Sequence, residues 1–238
     1  MKLLIDMHTH TIASSHAYST LQENVAEAKE KGLTHLGISD HGPMLPGGAH
    51  LYYFQNLRVI PREIQGITIL RGAEANIIDY AGTLDLNTSD YNYIDYFIAS
   101  AHVPCIRRGT IAENTLALTE AMKNPRVAII GHPDDGRCPL DYETLVKAAK
   151  DHNVLLEVNN SSLNPEGFRQ NARENVAKML KLCMKYNVSV IVNSDAHFSS
   201  YVGDFDNALE VIRDVEFPED LIINLRPEKF IDFLKTKA

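Results

Sequence analysis

Seven of the ten histidines in this 238-residue chain fall at or just beyond the C-terminal ends of short apolar runs. Leu3–Asp6 leads into Met7-His8-Thr9-His10, with His16 in the loop that follows, and His35–Ser39 leads into Asp40-His41. Tyr96–Ser100 leads into Ala101-His102, Ala128–Ile130 into Gly131-His132-Pro133, and Val190–Asn193 into Ser194-Asp195-Ala196-His197. Two further runs are Thr68–Arg71, with Glu74 beyond it, and Leu155–Val158. Imidazole and carboxylate are the usual ligands of transition metals. Ligands scattered along a chain but confined to one end of its strands converge only if those ends are gathered. A parallel barrel does this at its C-terminal mouth.

The intervening segments support that architecture. Amphipathic, helix-like stretches cover Leu21–Lys31, Ile111–Lys123, Tyr142–His152, Asn171–Tyr186 and Phe205–Arg213, with a weaker one over Tyr52–Gln65 broken by Pro61. Pro227 sits where a first helical turn tolerates proline, ahead of Glu228–Lys235. The nearly continuous apolar character of the strand runs is that of parallel strands covered on both faces. Seven strands alternating with helices fit either a closed barrel or an open doubly wound sheet. An open sheet gathers its ligands at one switch point, whereas here they follow six of the seven strands, so the barrel is expected. There is no internal repeat, low-complexity tract or linker, and residues 1–238 read as one domain. The longest connections are Gly42–Leu51, a candidate substrate loop or lid, and Tyr80–Asp95.

Charge and cysteine usage narrow the class. A net charge of −8 argues against broad nucleic-acid or anionic-membrane binding but leaves room for a small phosphate ligand beside bound metal. Cys105, Cys138 and Cys183 are far apart and form no CxxC pair, which points to a reducing compartment. No apolar run is long enough to span a membrane, and a cytoplasmic protein is expected.

His8 and His10 are two apart in extended chain, so both rings point to one side, and Asp195 and His197 repeat that spacing. Glu74 falls in the same layer, where a carboxylate can bridge two cations. The remaining histidines are read as structural: His35 begins a strand, His152 ends a helix, and His50 lies on a surface loop with a lesser chance of touching substrate. Arg107 and Arg108 follow His102, and Arg137 follows His132, so these three are candidate partners for phosphate.

The ordered set Asp6-x-His8-x-His10, Ser39-Asp40-His41, Glu74, His102, Gly131-His132-Pro133 and Asn193-Ser194-Asp195-Ala196-His197 resembles the polymerase-and-histidinol-phosphatase (PHP) superfamily, in particular its YcdX-type phosphatases. The resemblance implies a distorted (β/α)7 TIM-like barrel with a trinuclear zinc-type centre. One cation would take His8, His10, Glu74 and Asp195, a second Glu74, His102 and His132, and a third His16, His41 and His197. It also implies a homotrimer.

Nitrogen-rich sites of this kind favour zinc, with manganese or iron(II) as alternatives, over magnesium or calcium. Water held between close cations is acidified and acts as hydroxide near neutral pH. Neither a Gly-x-Ser-x-Gly elbow nor a Cys–His nucleophile is present. The expected activity is metal-dependent hydrolysis of small phosphomonoesters, with Glu74 and Asp195 central to it. Asp40 would orient His41 from behind or protonate the leaving group. The rival readings are a histidinol-phosphate phosphatase, a phosphodiesterase or 3′–5′ exonuclease, a metal-dependent amidohydrolase and a non-catalytic metal-binding domain. The lack of a basic and aromatic track weighs against extended single strands.

Overall fold

A computed structural model describes residues 1–86 and 93–237. Seven parallel strands curl into a nearly closed barrel in the order β1 (Ile5–Asp6), β2 (His35–Ile38), β4 (Ile67–Asn76), β5 (Tyr96–Ser100), β6 (Val127–Ile130), β7 (Leu155–Asn159) and β8 (Val190–Asn193). Helices α1 (Leu21–Glu30), α3 (Ile111–Ala121), α4 (Tyr142–Asp151), α5 (Ala172–Tyr186) and α6 (Asp206–Asp214) alternate with these strands. The strand pattern therefore delivers the expected barrel.

Two departures from expectation matter. The Tyr52–Gln65 stretch is not one helix. It divides into α2 (Leu51–Asn56), a 3₁₀ turn at Leu57–Val59 and a short strand β3 (Glu63–Ile64) that pairs antiparallel with β4. Gln65 and Gly66 both hold positive φ, 54° and 84°, the backbone of a two-residue hairpin turn whose twist matches its strands. The second departure is the length of β4. Its first half pairs Thr68–Arg71 with β2, and its second half pairs Gly72–Asn76 with β5. Glu74 therefore lies inside a strand rather than beyond one. Its charge interrupts the apolar run and conceals the strand's true end. The Tyr80–Asp95 connection lies partly outside the described residues.

Two cores flank the barrel wall. The larger fills the space between strands and surrounding helices. The smaller occupies the barrel interior, where Ile5, Met7, Tyr96, Ile98, Ile129 and Ile191 pack together. Helix α7 (Pro227–Lys235) joins this inner core through Phe230 and Leu234 and plugs the N-terminal end of the barrel. The Tyr96 ring is admitted by glycine: a Cβ at Gly72 would come within 2.4 Å of it, and one at Gly37 within 2.0 Å of its hydroxyl. That hydroxyl donates to the Met7 carbonyl at 2.6 Å. His35 lies at this same lower end, at the start of β2, and His152 caps the end of α4, both away from the mouth. His50 caps the start of α2, its Nδ1 accepting from the Tyr52 amide.

β1 and β8 meet at a seam closed largely by side chains. Asn224, fully buried, accepts from the Val192 amide at 2.8 Å and donates to the Ile5 carbonyl at 2.9 Å and the Val192 carbonyl at 2.6 Å. Above it, Asn193 Oδ1 accepts from the Met7 amide, and the Asp6 carboxylate accepts from Ser194 and the Gly203 amide. At the top, the His10 amide donates to the Ala196 carbonyl at 2.9 Å. Removing the Asn224 amide strands buried backbone groups on both strands, each worth roughly 1–3 kcal/mol. Asn224→Ala is therefore expected to lower the unfolding free energy by about 3 kcal/mol in denaturant titration. A loss of only a few tenths would mean that the seam closes without it.

Candidate metal centre

The strand ends place the expected residues around one focus, the Glu74 carboxylate. It is fully buried, and five imidazoles surround it. His41 Nδ1 lies 2.5 Å from Oε2, and His132 Nε2 2.8 Å, His102 Nε2 3.2 Å and His8 Nε2 3.4 Å from Oε1. His10 Nε2 lies 3.6 Å from Oε2. Asp195 closes the other side, with Oδ1 3.2 Å from His10 and 3.5 Å from His8. His16 reaches His41 at 3.1 Å, and the His197 ring stands 4.2 Å from that of His10 and 4.9 Å from that of His16. All nine candidate ligands thus share the barrel mouth.

Three groups have donor atoms within 4.8 Å of one another: His8, His10 and Glu74; His41, Glu74 and His102; and His10, His41 and His197. They share Glu74, His10 and His41, as ligand sets of neighbouring cations do. They cut across the partition implied by the family resemblance, in which His41 and His197 were grouped with His16.

The donor set fits cations. His8 Nε2, His41 Nδ1 and Glu74 Oε2 are buried atoms with no hydrogen-bond partner, although the last two lie only 2.5 Å apart. Buried polar atoms left without partners are costly unless a ligand satisfies them. Burial, reinforced by His41 and His197, holds His10 well below the usual imidazole range, and burial with nearby Arg169 takes His132 down to about 4. Both are therefore neutral and able to coordinate. His8 is the exception. Burial opposes its charge, but Glu157, Glu74 and Asp195 together lift its pKa well above the ordinary value. Three carboxylates around one imidazole form a pocket that calls for positive charge.

Three of the rings, those of His8, His102 and His197, are aimed by an acceptor facing Nδ1. Glu157 Oε1 lies 2.7 Å from His8 Nδ1, Asn76 Oδ1 2.7 Å from His102 Nδ1, and the Asp195 carbonyl 3.0 Å from His197 Nδ1. These acceptors require Nδ1–H and so leave Nε2 free. Ser14 Oγ donates to Asp40 at 2.6 Å, accepts from the His41 amide at 3.1 Å and faces His10 Nδ1 at 3.2 Å. Two candidate ligands also depart from ordinary backbone: His132 has φ 30° and Asp195 φ 56°, left-handed values uncommon for such residues.

The structure gives some of the expected residues other partners and brings in residues that sequence reasoning missed. The Asp40 carboxylate makes no hydrogen bond to the His41 ring. Its carboxylate accepts from the Thr11 amide and hydroxyl, Ser14 and the Tyr53 hydroxyl, so it organises the loop that carries His10 and His16. With four donors on it, Asp40 is not poised to protonate a leaving group. Arg137 forms an ion pair with Asp135 at 2.5 Å and stacks over Phe168 at 4.8 Å, so its charge is already committed. Arg107 and Arg108 line the cavity above the mouth.

Glu157 went unread although it is a lone acid inside the apolar run Leu155-Leu156-Glu157-Val158, and that charge was the available signal. Its carboxylate accepts from the His132 amide at 2.6 Å and from Asn193 Nδ2 at 2.8 Å besides facing His8. Arg169 gave no signal in its polar loop. It lines the cavity with Nη2 3.6 Å from Asp195 Oδ2 and Nη1 3.6 Å from Asp134 Oδ1.

The PHP-domain family profile matches residues 6–220. The chain belongs to this family. A probable phosphatase of Caldicellulosiruptor saccharolyticus is 48% identical over 235 residues, covering 99% of this chain and 97% of that protein. One of Clostridium novyi is 45% identical over 238 residues, covering 100% and 97%. The fold is shared with histidinol phosphate phosphatase of Lactococcus lactis, solved with zinc, L-histidinol and phosphate, at a TM-score of 0.63 and 16% identity over 91% of this chain and 95% of that one. A chain of an archaeal ribonuclease P bound to mature tRNA matches at a TM-score of 0.60 and 16% identity, over 98% and 90%. These two likenesses speak to the fold alone.

Because Glu157 fixes both His8 and the His132 backbone, Glu157→Gln is expected to weaken zinc binding about 10- to 100-fold, as loss of a ligand's supporting partner does. Competition with a chromophoric chelator measures this. Unchanged affinity would reduce Glu157 to a packing role.

Proposed function

We propose that this chain is a metal-dependent phosphomonoesterase of small substrates, built around three zinc-type cations. The observation that carries the reading is the convergence of seven imidazoles and two carboxylates on one cavity-lined mouth, in a chain whose relatives are named probable phosphatases. The proposed ligands are those implied by the family resemblance, with Glu74 shared between two cations. When bound, such cations supply an activated water and neutralise the charge of the phosphoryl group.

The chain's own residues do the rest. Glu74 and Asp195 provide the negative charge that gathers the cations. Glu157, Asn76 and Ser14 hold the imidazoles in the tautomer and rotation that present their free nitrogens. Arg169 is the proposed phosphoryl partner. Neither of its carboxylate contacts, both at 3.6 Å, is a hydrogen bond, so N–H donors remain for phosphate oxygens. The surrounding strands and loops exclude bulk water from the carboxylates, which strengthens each of these interactions.

No described helix is long and apolar enough to cross a membrane. The cavity at the mouth, of about 860 Å³, suits a small molecule rather than an extended strand.

Chelator-stripped protein is expected to release no phosphate from phosphomonoesters, and reloading with zinc or manganese to restore release. Elemental analysis should find close to three cations per chain, and a single cation at full activity would overturn the trinuclear reading. Asp195→Asn should abolish turnover and reduce occupancy. Arg169→Ala should raise KM by about 10-fold or more, the cost of losing a charge-assisted hydrogen bond. An unaltered KM would remove it from the phosphoryl site.

A further inference from the structure

Beyond the candidate ligands and Arg169, the cavity lining divides by chemistry: Leu45, Pro46, Val103, Pro104, Ile106 and Phe168 are apolar, and Arg107 and Arg108 are cationic. Phe168 lines the cavity and is 72% exposed, with Arg137 over its ring at 4.8 Å, so an aromatic surface borders the cavity. The two arginines are exposed, adjacent in sequence and without an ion pair among the described residues. The loop that carries them is not loose. The Tyr80 hydroxyl donates to the Arg107 carbonyl at 2.9 Å, and Asn114 bonds both the amide and the carbonyl of Gly109, just past the pair.

The acids sharing the cavity do not neutralise this pair. Asp135 is held by Arg137, Asp195 belongs to the metal mouth, and Asp204 lies on the segment beyond His197. Two exposed guanidinium groups without a carboxylate partner leave their donors open to a bound anion. Guanidinium matches carboxylate and phosphate oxygens with forked donors. With Arg169 beside the metal ligands, these two are surplus to holding one phosphoryl group.

From this division we infer that the substrate's leaving group carries a second anion, a carboxylate or another phosphate, on an apolar or aromatic body, held by Arg107 and Arg108. The inference rests on the phosphatase reading for the position of the scissile group. It places that group against the metals and Arg169, the body along the Phe168 wall, and the second anion at the arginine pair.

The test is binding of non-hydrolysable ligands to metal-loaded protein by calorimetry. The ligands are phenylphosphonate, 4-carboxyphenylphosphonate, 1,4-phenylenebisphosphonate and 4-(aminomethyl)phenylphosphonate. At least one dianionic-end ligand is expected to bind about 10-fold or more tighter than phenylphosphonate, the return of a charge-assisted hydrogen bond. Which of the two gains more separates carboxylate from phosphate. In the double variant Arg107→Ala/Arg108→Ala the ratio should fall to near one. Equal binding of all four, preference for the aminomethyl compound, or a preference that survives in the double variant would overturn the inference. Turnover of the matching aryl phosphates separates the two claims. Preference without turnover sinks the phosphatase reading and keeps the anion subsite, and turnover without preference does the reverse.

Discussion

A fully buried glutamate is the point on which the architecture turns. Glu74 sits mid-strand, shielded from water, and five histidine rings lie within 3.6 Å of its oxygens. Removing a carboxylate from water costs several kcal/mol unless charge and hydrogen bonding compensate. Imidazoles alone do this incompletely, since burial keeps His10 and His132 neutral. The remaining compensation is what a cation would supply. β4 must run on to Asn76 to carry Glu74 into the mouth, and the parallel bridge between His41 and Glu74 locks it there.

Around that carboxylate the barrel places a layer of buried polar side chains. Glu157 and Asn159 come from β7, Asn193 from the end of β8 and Asn76 from the end of β4, all fully buried. Asn159 Nδ2 donates to both Glu157 and Asp195, so the carboxylate behind His8 and the one beside it are fixed relative to each other. Asp85 plays a comparable part, accepting from Asn76 at 2.6 Å and from the Met44 amide at 2.9 Å. It thereby ties the aim of His102 to the loop after His41. Such a network fixes the candidate ligands in place, and preorganisation of this kind lowers the cost of binding a cation.

Much of this was legible in the residues. The alternation of apolar runs and amphipathic stretches specified a parallel barrel, and the histidines at run ends specified which rim would be chemical. The failures have physical causes. β4 was read too short because Glu74 breaks the apolar pattern that marks a strand. β3 went unseen because two residues carry no periodicity and Gln65-Gly66 is a less familiar hairpin turn than Asn-Gly. Glu157 escaped because a supporting acid looks like an error in a buried strand until its partners are known. Asp40 was assigned to His41 by adjacency in sequence, while its partners lie in the loop before α1 and on α2.

Sequence by itself determined which residue types would meet at the barrel mouth, because residue identity and strand-end placement are local properties of short segments. It could not determine which carboxylate would stand at the centre, which nitrogen each ring would present, or which arginine would lie beside Asp195. Those depend on distances between residues as far apart as His8 and Glu157, or Asp195 and Arg169, and only closure of the barrel brings them together. That closure in turn rests on a seam of side chains such as Asn224, whose hydrogen bonds cross from one end of the chain to the other.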